Sequence, residues 1–223
     1  MKLSFLPLIF CLCLAGTCYA AEDSKESVQA ITRAVDEHYN RLRSLQAEFT
    51  EVYHGAGMER TETGTLLLKK PGKMRWDYRS PKEKLFVGDG KNTWFYVPGD
   101  RQVRKTSMKK LDDLRSPLSF LLGKTKLEKE LRGLSLAPDV TASRPGNVML
   151  RGIPVHWVDR VTQVLLEITP DNKIARLVID EADGSTTEYD LAEQKENVSI
   201  ADDRFHFVPP AHTEVIDGDL MSQ

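Results

Sequence analysis

Residues 64–78, GTLLLKKPGKMRWDY, place three consecutive leucines, a basic proline corner and a Met-Arg-Trp-Asp-Tyr alternation within fifteen positions. In an extended strand alternate residues share a face, so Leu66, Leu68 and Lys70 project together, as do Met74, Trp76 and Tyr78 beyond the corner. One face of this strand pair is therefore apolar and ends in a cation. If that face lines a dry core, Lys70 is a buried unpaired charge, which is costly, unless its stem snorkels to the edge. If it lines a cavity that opens, the lysine can sit under a lid and bond it. The pattern alone leaves both readings standing.

Outward from this corner the chain keeps a period of two. LQAEFTEVY, TGTLLLKK, KMRWDY, EKLFVGDG, NTWFYV and RQVRK are short runs rich in aromatic and branched residues, separated by turn signals at Gly55–Gly57, Pro71-Gly72, Asp89-Gly90 and Pro98-Gly99-Asp100. They predict an antiparallel meander. A second series, NVMLRG, VHWVDRV, QVLLEIT, IARLVIDE and TTEYDLAEQ, starts near Asn147, and RFHFVPP is read as a last extended piece. About eleven strands in one domain curl into a barrel or a strongly bent sheet. Ahead of them Val28, Ile31, Val35, His38 and Leu42 recur at spacings of three and four, predicting an amphipathic helix over about 24–43. Between the two series, Leu111, Leu114, Leu118, Leu121 and Leu122 keep helical spacing broken by Pro117 and Gly123, predicting short helices over about 111–133 that act as a lid or cover one sheet face. The fold class expected is thus α+β, mainly β.

The first residues, MKLSFLPLIFCLCLAGTCYA, have one cation, an apolar run from Leu3 to Ala15 and a small-residue ending, the layout of a secretory signal peptide cleaved after Ala20. A single domain over 21–223, soluble and outside the cytoplasm, is the expected product. Lipid attachment at Cys18 is a rival, weakened by Thr17 just before the cysteine. All three cysteines, Cys11, Cys13 and Cys18, fall in the leader, so stability must come from a core. Beyond residue 20 there are 30 basic and 33 acidic residues, a near-neutral balance that gives no reason to expect nucleic acid.

Catalytic patterns are missing from the sequence. His38, His54, His156, His206 and His212 show no H-E-x-x-H or H-x-H spacing, so no metal and no cofactor is expected. His38 is read as a packed structural histidine. There is no G-x-S-x-G elbow or P-loop, and GDGK at 88–91 is better read as a hairpin turn. Asp112-Asp113 and Asp202-Asp203 are adjacent residues whose side chains diverge, more like a helix start and a solvated loop than acid pairs.

KKPGKMRWDY, then Pro81 and VGDGKNTWFYVPGDRQV at 87–103, resembles the central motif of the LolA family, periplasmic carriers of outer-membrane lipoproteins, and LAEQKENVSIADDRFHFVPPAHTEVID resembles that family's C-terminal pattern. The likeness spans nearly the whole mature chain. It implies an open, unclosed antiparallel β-barrel of about eleven strands with capping helices over a hydrophobic cavity. It also implies no enzymatic activity, acylated lipoproteins as cargo, an inner-membrane ATP-driven extractor, an outer-membrane acceptor and a monomeric carrier in the periplasm. Carried onto this chain, Phe49, Leu66, Leu68, Met74, Trp76 and Phe86 would line the acyl-chain cavity. Lys70 with Leu118, Leu121 and Leu122 would form latch and lid. Two departures stand out: family members commonly carry Arg where this chain has Lys70, and often Phe where it has Met74. Lysine lacks the planar guanidinium fork, so a latch built on it is expected to be weaker. Moving acyl chains through water costs about 0.8 kcal/mol per exposed methylene, a load that an apolar concave face would offset. A sensing module on the same scaffold and a hydrolase with an unrecognised site are the competing classes.

Overall fold

The computed structural model describes residues 17–108, 125–155 and 159–217, with side chains from Ser27 onward. Helix α1 (Thr17–Arg41) leads into β1 (Ser44–Gly55), β2 (Met58–Lys69), β3 (Lys73–Ser80), β4 (Lys84–Asp89), β5 (Asn92–Tyr96) and β6 (Gln102–Ser107). A one-turn helix α2 (Leu127–Glu130) precedes β7 (Leu131–Leu136), β8 (Val148–Pro154), β9 (Val161–Ile168), β10 (Ile174–Glu181) and β11 (Thr186–Glu196), and a 3-10 turn (Asp202–Phe205) precedes β12 (Glu214–Asp217).

The twelve strands among the described residues form one sheet in the order β12-β6-β5-β4-β3-β2-β1-β11-β10-β9-β8-β7, so among those residues β12 and β7 are its edges and the sheet does not close. It curls around α1. Leu66 and Trp76 from one half and Leu150, Leu166 and Ile174 from the other meet in a single hydrophobic cluster with Val28, Val35, Tyr39 and Leu42 of the helix. That explains the helical spacing: the apolar stripe is what α1 lays on the concave face. Tyr39, absent from the expected stripe, is buried, and its hydroxyl accepts a hydrogen bond from the Ile174 N–H at 2.9 Å. His38 is half-buried, with Nε2 3.0 Å from Glu196 Oε1.

The convex face carries two smaller clusters. Ala137, Met149, Leu165 and Val178 are covered by the connection between β7 and β8, and Leu67, Ile200 and Phe205 by the C-terminal strap.

Four sequence expectations need correction. Residues 131–133, expected in the lid helices, belong to β7, because Gly133 takes a positive φ of 63° at a register shift between Arg132 and Ser135 and so breaks the helix. The second half of VHWVDRV is not the strand expected: Asp159 and Arg160 are in a turn and β9 starts at Val161, while residues 156–158 lie outside the described residues. RFHFVPP is the end of a 3-10 turn followed by irregular chain. The meander acquires one parallel member, β12 on β6, giving twelve strands. The lid residues Leu118, Leu121 and Leu122 lie outside the described residues.

Candidate functional site

Lys69 and Lys70 show how the corner sorts its charges. Lys69 points to the convex side, where Nζ donates to the Ile200 carbonyl and to Asp202, each at 2.6 Å. Lys70 turns to the concave side, and its Nζ donates to the Tyr39 carbonyl at 2.7 Å, in the last turn of α1. A cation suits that position because the final carbonyls of a helix have no intrahelical partner and the helix dipole is negative there. Burial holds the Lys70 ammonium below its ordinary pKa. Tyr39, Leu42, Ser44, Leu45 and Leu68 line a small pocket beside it. The partner seen for Lys70 is thus the helix end, and any bond to the segment around Leu118–Leu122 falls outside the described residues.

The six expected lining residues come together. Leu66 pairs in register with Trp76, Leu68 with Met74, and Trp76 with Phe86, while Phe49 sits opposite Gly64. Phe49, Leu66, Leu68, Met74 and Trp76 are buried and Phe86 is half-buried against them. Gly64 is required here: a Cβ at that position would lie 2.1 Å from the Asp77 carbonyl and 2.6 Å from the Phe49 ring. The Phe49 ring meets Trp76 and Tyr78 edge-on at centroid distances of 4.7 and 4.9 Å.

Farther from the corner the same face becomes polar, a feature the sequence reading did not single out. Glu51 and Glu62 are directly opposite across β1 and β2 and both are buried. Glu51 Oε2 accepts from the Tyr78 hydroxyl at 2.8 Å, and Arg60 Nη2 stands 3.9 Å from its other oxygen. Glu62 Oε2 accepts from Lys84 Nζ, with Arg60 Nε 3.4 Å away. Burial pushes the Glu51 carboxyl above its ordinary pKa, against the Tyr78 bond that lowers it. Burial raises the Tyr78 and Tyr189 hydroxyls well above theirs. Among the described residues no group of three or more His, Cys, Asp or Glu side chains is placed to hold a metal ion, and no helix is long and apolar enough to cross a membrane.

An unclosed sheet curled around an apolar face, with a lysine on that face at its corner, defines an open-barrel scaffold. The family model described as "Outer membrane lipoprotein carrier protein LolA" matches residues 40–208, and the chain belongs to that family. Among its relatives, an outer-membrane lipoprotein carrier protein of Alkalilimnicola ehrlichii is 31% identical over 223 aligned positions, covering 97% of this chain and 96% of the relative. A protein of the same name from Bordetella avium is 28% identical over 218, covering 96% and 97%. A solved structure of an uncharacterized conserved protein from Thermus thermophilus shares the fold, with a TM-score of 0.52 and 14% identity over 86% of this chain and 99% of that one.

Proposed function

We propose that this protein is a periplasmic carrier that holds the acyl chains of lipoproteins against Phe49, Leu66, Leu68, Met74, Trp76 and Phe86 and delivers them to an outer-membrane acceptor. The observation that carries the reading is the single contiguous apolar cluster on the concave face of an unclosed sheet, with the Lys70 ammonium hydrogen-bonded beside it. Membership of the family and the names of its relatives support it. Nothing covalent is asked of the protein: apolar area takes up methylenes that would otherwise face water. Loading then needs energy from an inner-membrane ATP-driven extractor. The leader through Ala20 directs export, and the exported chain works as a soluble monomer. Lys70 holds the cover of the empty face, first through the Tyr39 carbonyl and, in this reading, together with the segment bearing Leu118, Leu121 and Leu122.

Purification from the periplasm followed by mass spectrometry of bound material tests the proposal. Acylated lipoproteins on the wild-type chain and their loss in Met74→Glu, with a cooperative unfolding transition retained and Met74→Phe nearly silent, are expected. A co-purifying signalling protein without lipoprotein would favour the sensing module and overturn the carrier reading. Intact mass decides the export step: a chain starting at Ala21 is expected, and diacylglycerol on Cys18 would replace a shuttle with a membrane-fixed protein.

A further inference from the structure

Four neighbouring strands change character within two successive levels of the concave face, β3 and β4 one inward step nearer the corner than β1 and β2. Going away from the corner, the inward residue passes from Phe49 to Glu51 on β1, from Gly64 to Glu62 on β2, from Trp76 to Tyr78 on β3 and from Phe86 to Lys84 on β4. We propose that the charged group Glu51, Glu62 and Lys84 is an end-stop that fixes the length of acyl chain this protein accepts, an inference that rests on the carrier reading above.

Glu51 and Glu62 face each other across a strand pair, where like charges repel. They remain buried because Lys84, Arg60 and the Tyr78 hydroxyl are drawn in around them. The network is therefore occupied by its own members and is not built to receive a ligand's polar head. For an acyl chain it is a wall. A methylene gains free energy on leaving water only where it meets apolar surface, and here it would have to displace Arg60, whose side chain is 54% exposed, from carboxylates that then lose their compensation. Along β2 the tract from Leu68 to Glu62 spans six residue steps, about 20 Å at ~3.4 Å per step. Chains that fit this tract bury every methylene; the surplus of longer ones stays in water.

The test is displacement of an apolar dye from the purified chain by saturated fatty acids from octanoate to stearate. For the wild type, affinity should rise by up to about fourfold per added methylene and then level off. Glu62→Leu with Lys84→Leu should move the plateau to longer chains and leave the short ones within about twofold, the range expected where no methylene contact changes. An unchanged plateau in the folded double variant overturns the end-stop. Equal loss of affinity at every length would mean that the network holds the polar head, and overturns it too. A wild type that binds no fatty acid at all brings down the carrier reading itself. Should the leucine pair fail to give a cooperative melt, Glu62→Gln with Lys84→Met keeps shape while removing charge. Independently, a palmitate analogue with a terminal diazirine, photolysed on the wild type, should label Phe49, Trp76 or Phe86. Label carried past the network onto Tyr53 overturns the proposal.

Discussion

The two faces of the sheet each bury carboxylates, and they do so in opposite ways. On the convex side Glu167 is fully buried, and its two oxygens accept from the Ser143 N–H at 3.0 Å, the Ser143 hydroxyl and Asn147 Nδ2 at 2.7 Å, and Arg176 Nε at 2.8 Å. Burial alone would raise its pKa. The bonds from Ser143 and Asn147 and the charge of Arg176 prevail and hold it at about 2. On the concave side Glu51 has one hydroxyl and a distant guanidinium, and its pKa is raised. The convex acid fastens the β7–β8 connection to the sheet. The concave acids bound a surface that is otherwise apolar. A buried carboxylate stabilises a fold only when its hydrogen bonds exceed its loss of hydration, and the two sites fall on either side of that balance.

The largest effect is expected from breaking the convex site. Glu167→Ala should cost about 3–5 kcal/mol in denaturant unfolding, because Arg176 is left without its nearest partner, while acyl-probe binding by the remaining folded protein stays normal. The same site sets an acid limit. A carboxyl held at about 2 when folded, against an ordinary 4.5, contributes its full stability above pH 4.5 and loses it as pH falls toward 2. Glu167→Gln should flatten that part of the stability-versus-pH curve. If the curve is unchanged, the contrast between the faces is wrong.

Gly64→Ala is next, at about 1–3 kcal/mol, since the added methyl meets the Asp77 carbonyl and the Phe49 ring. Unlike Glu167→Ala it should also weaken acyl-probe binding, because Phe49 must move. Lys70→Leu should cost about 1 kcal/mol through the lost bond to the Tyr39 carbonyl, yet increase uptake of an apolar dye. Lys70→Arg should restore closure. Equal dye uptake by all three chains would show that Lys70 does not hold the face shut. The smallest effect belongs to Asp202→Ala, which removes exposed ion pairs to Lys69 and Lys73 and should leave the unfolding midpoint almost where it was. A large loss there would place strap docking among the main sources of stability.

Much of the concave site was legible because strand alternation is local. Met74 and Trp76, or Leu66 and Leu68, share a face wherever the strand goes, and Lys70 follows from the same parity. The Glu51–Glu62 network was only half legible. Parity puts Glu51 with Phe49 and Glu62 with Gly64, but nothing in either strand says that the two acids lie opposite each other. Helical spacing in turn misassigned Leu131, because a bulge at Gly133 has no periodic trace.

By itself, then, the sequence determined most of the strands, their two faces and most of the helix stripe, since these depend on dihedral preference and side-chain period within a few residues. Only the tertiary structure decided that Lys70 meets the Tyr39 carbonyl, that Glu167 gathers Ser143, Asn147 and Arg176, and that β12 adds in parallel to β6. Those contacts join residues far apart in the chain. The register and curl of the sheet fix them, and both come from packing one apolar face around α1 rather than from any local preference.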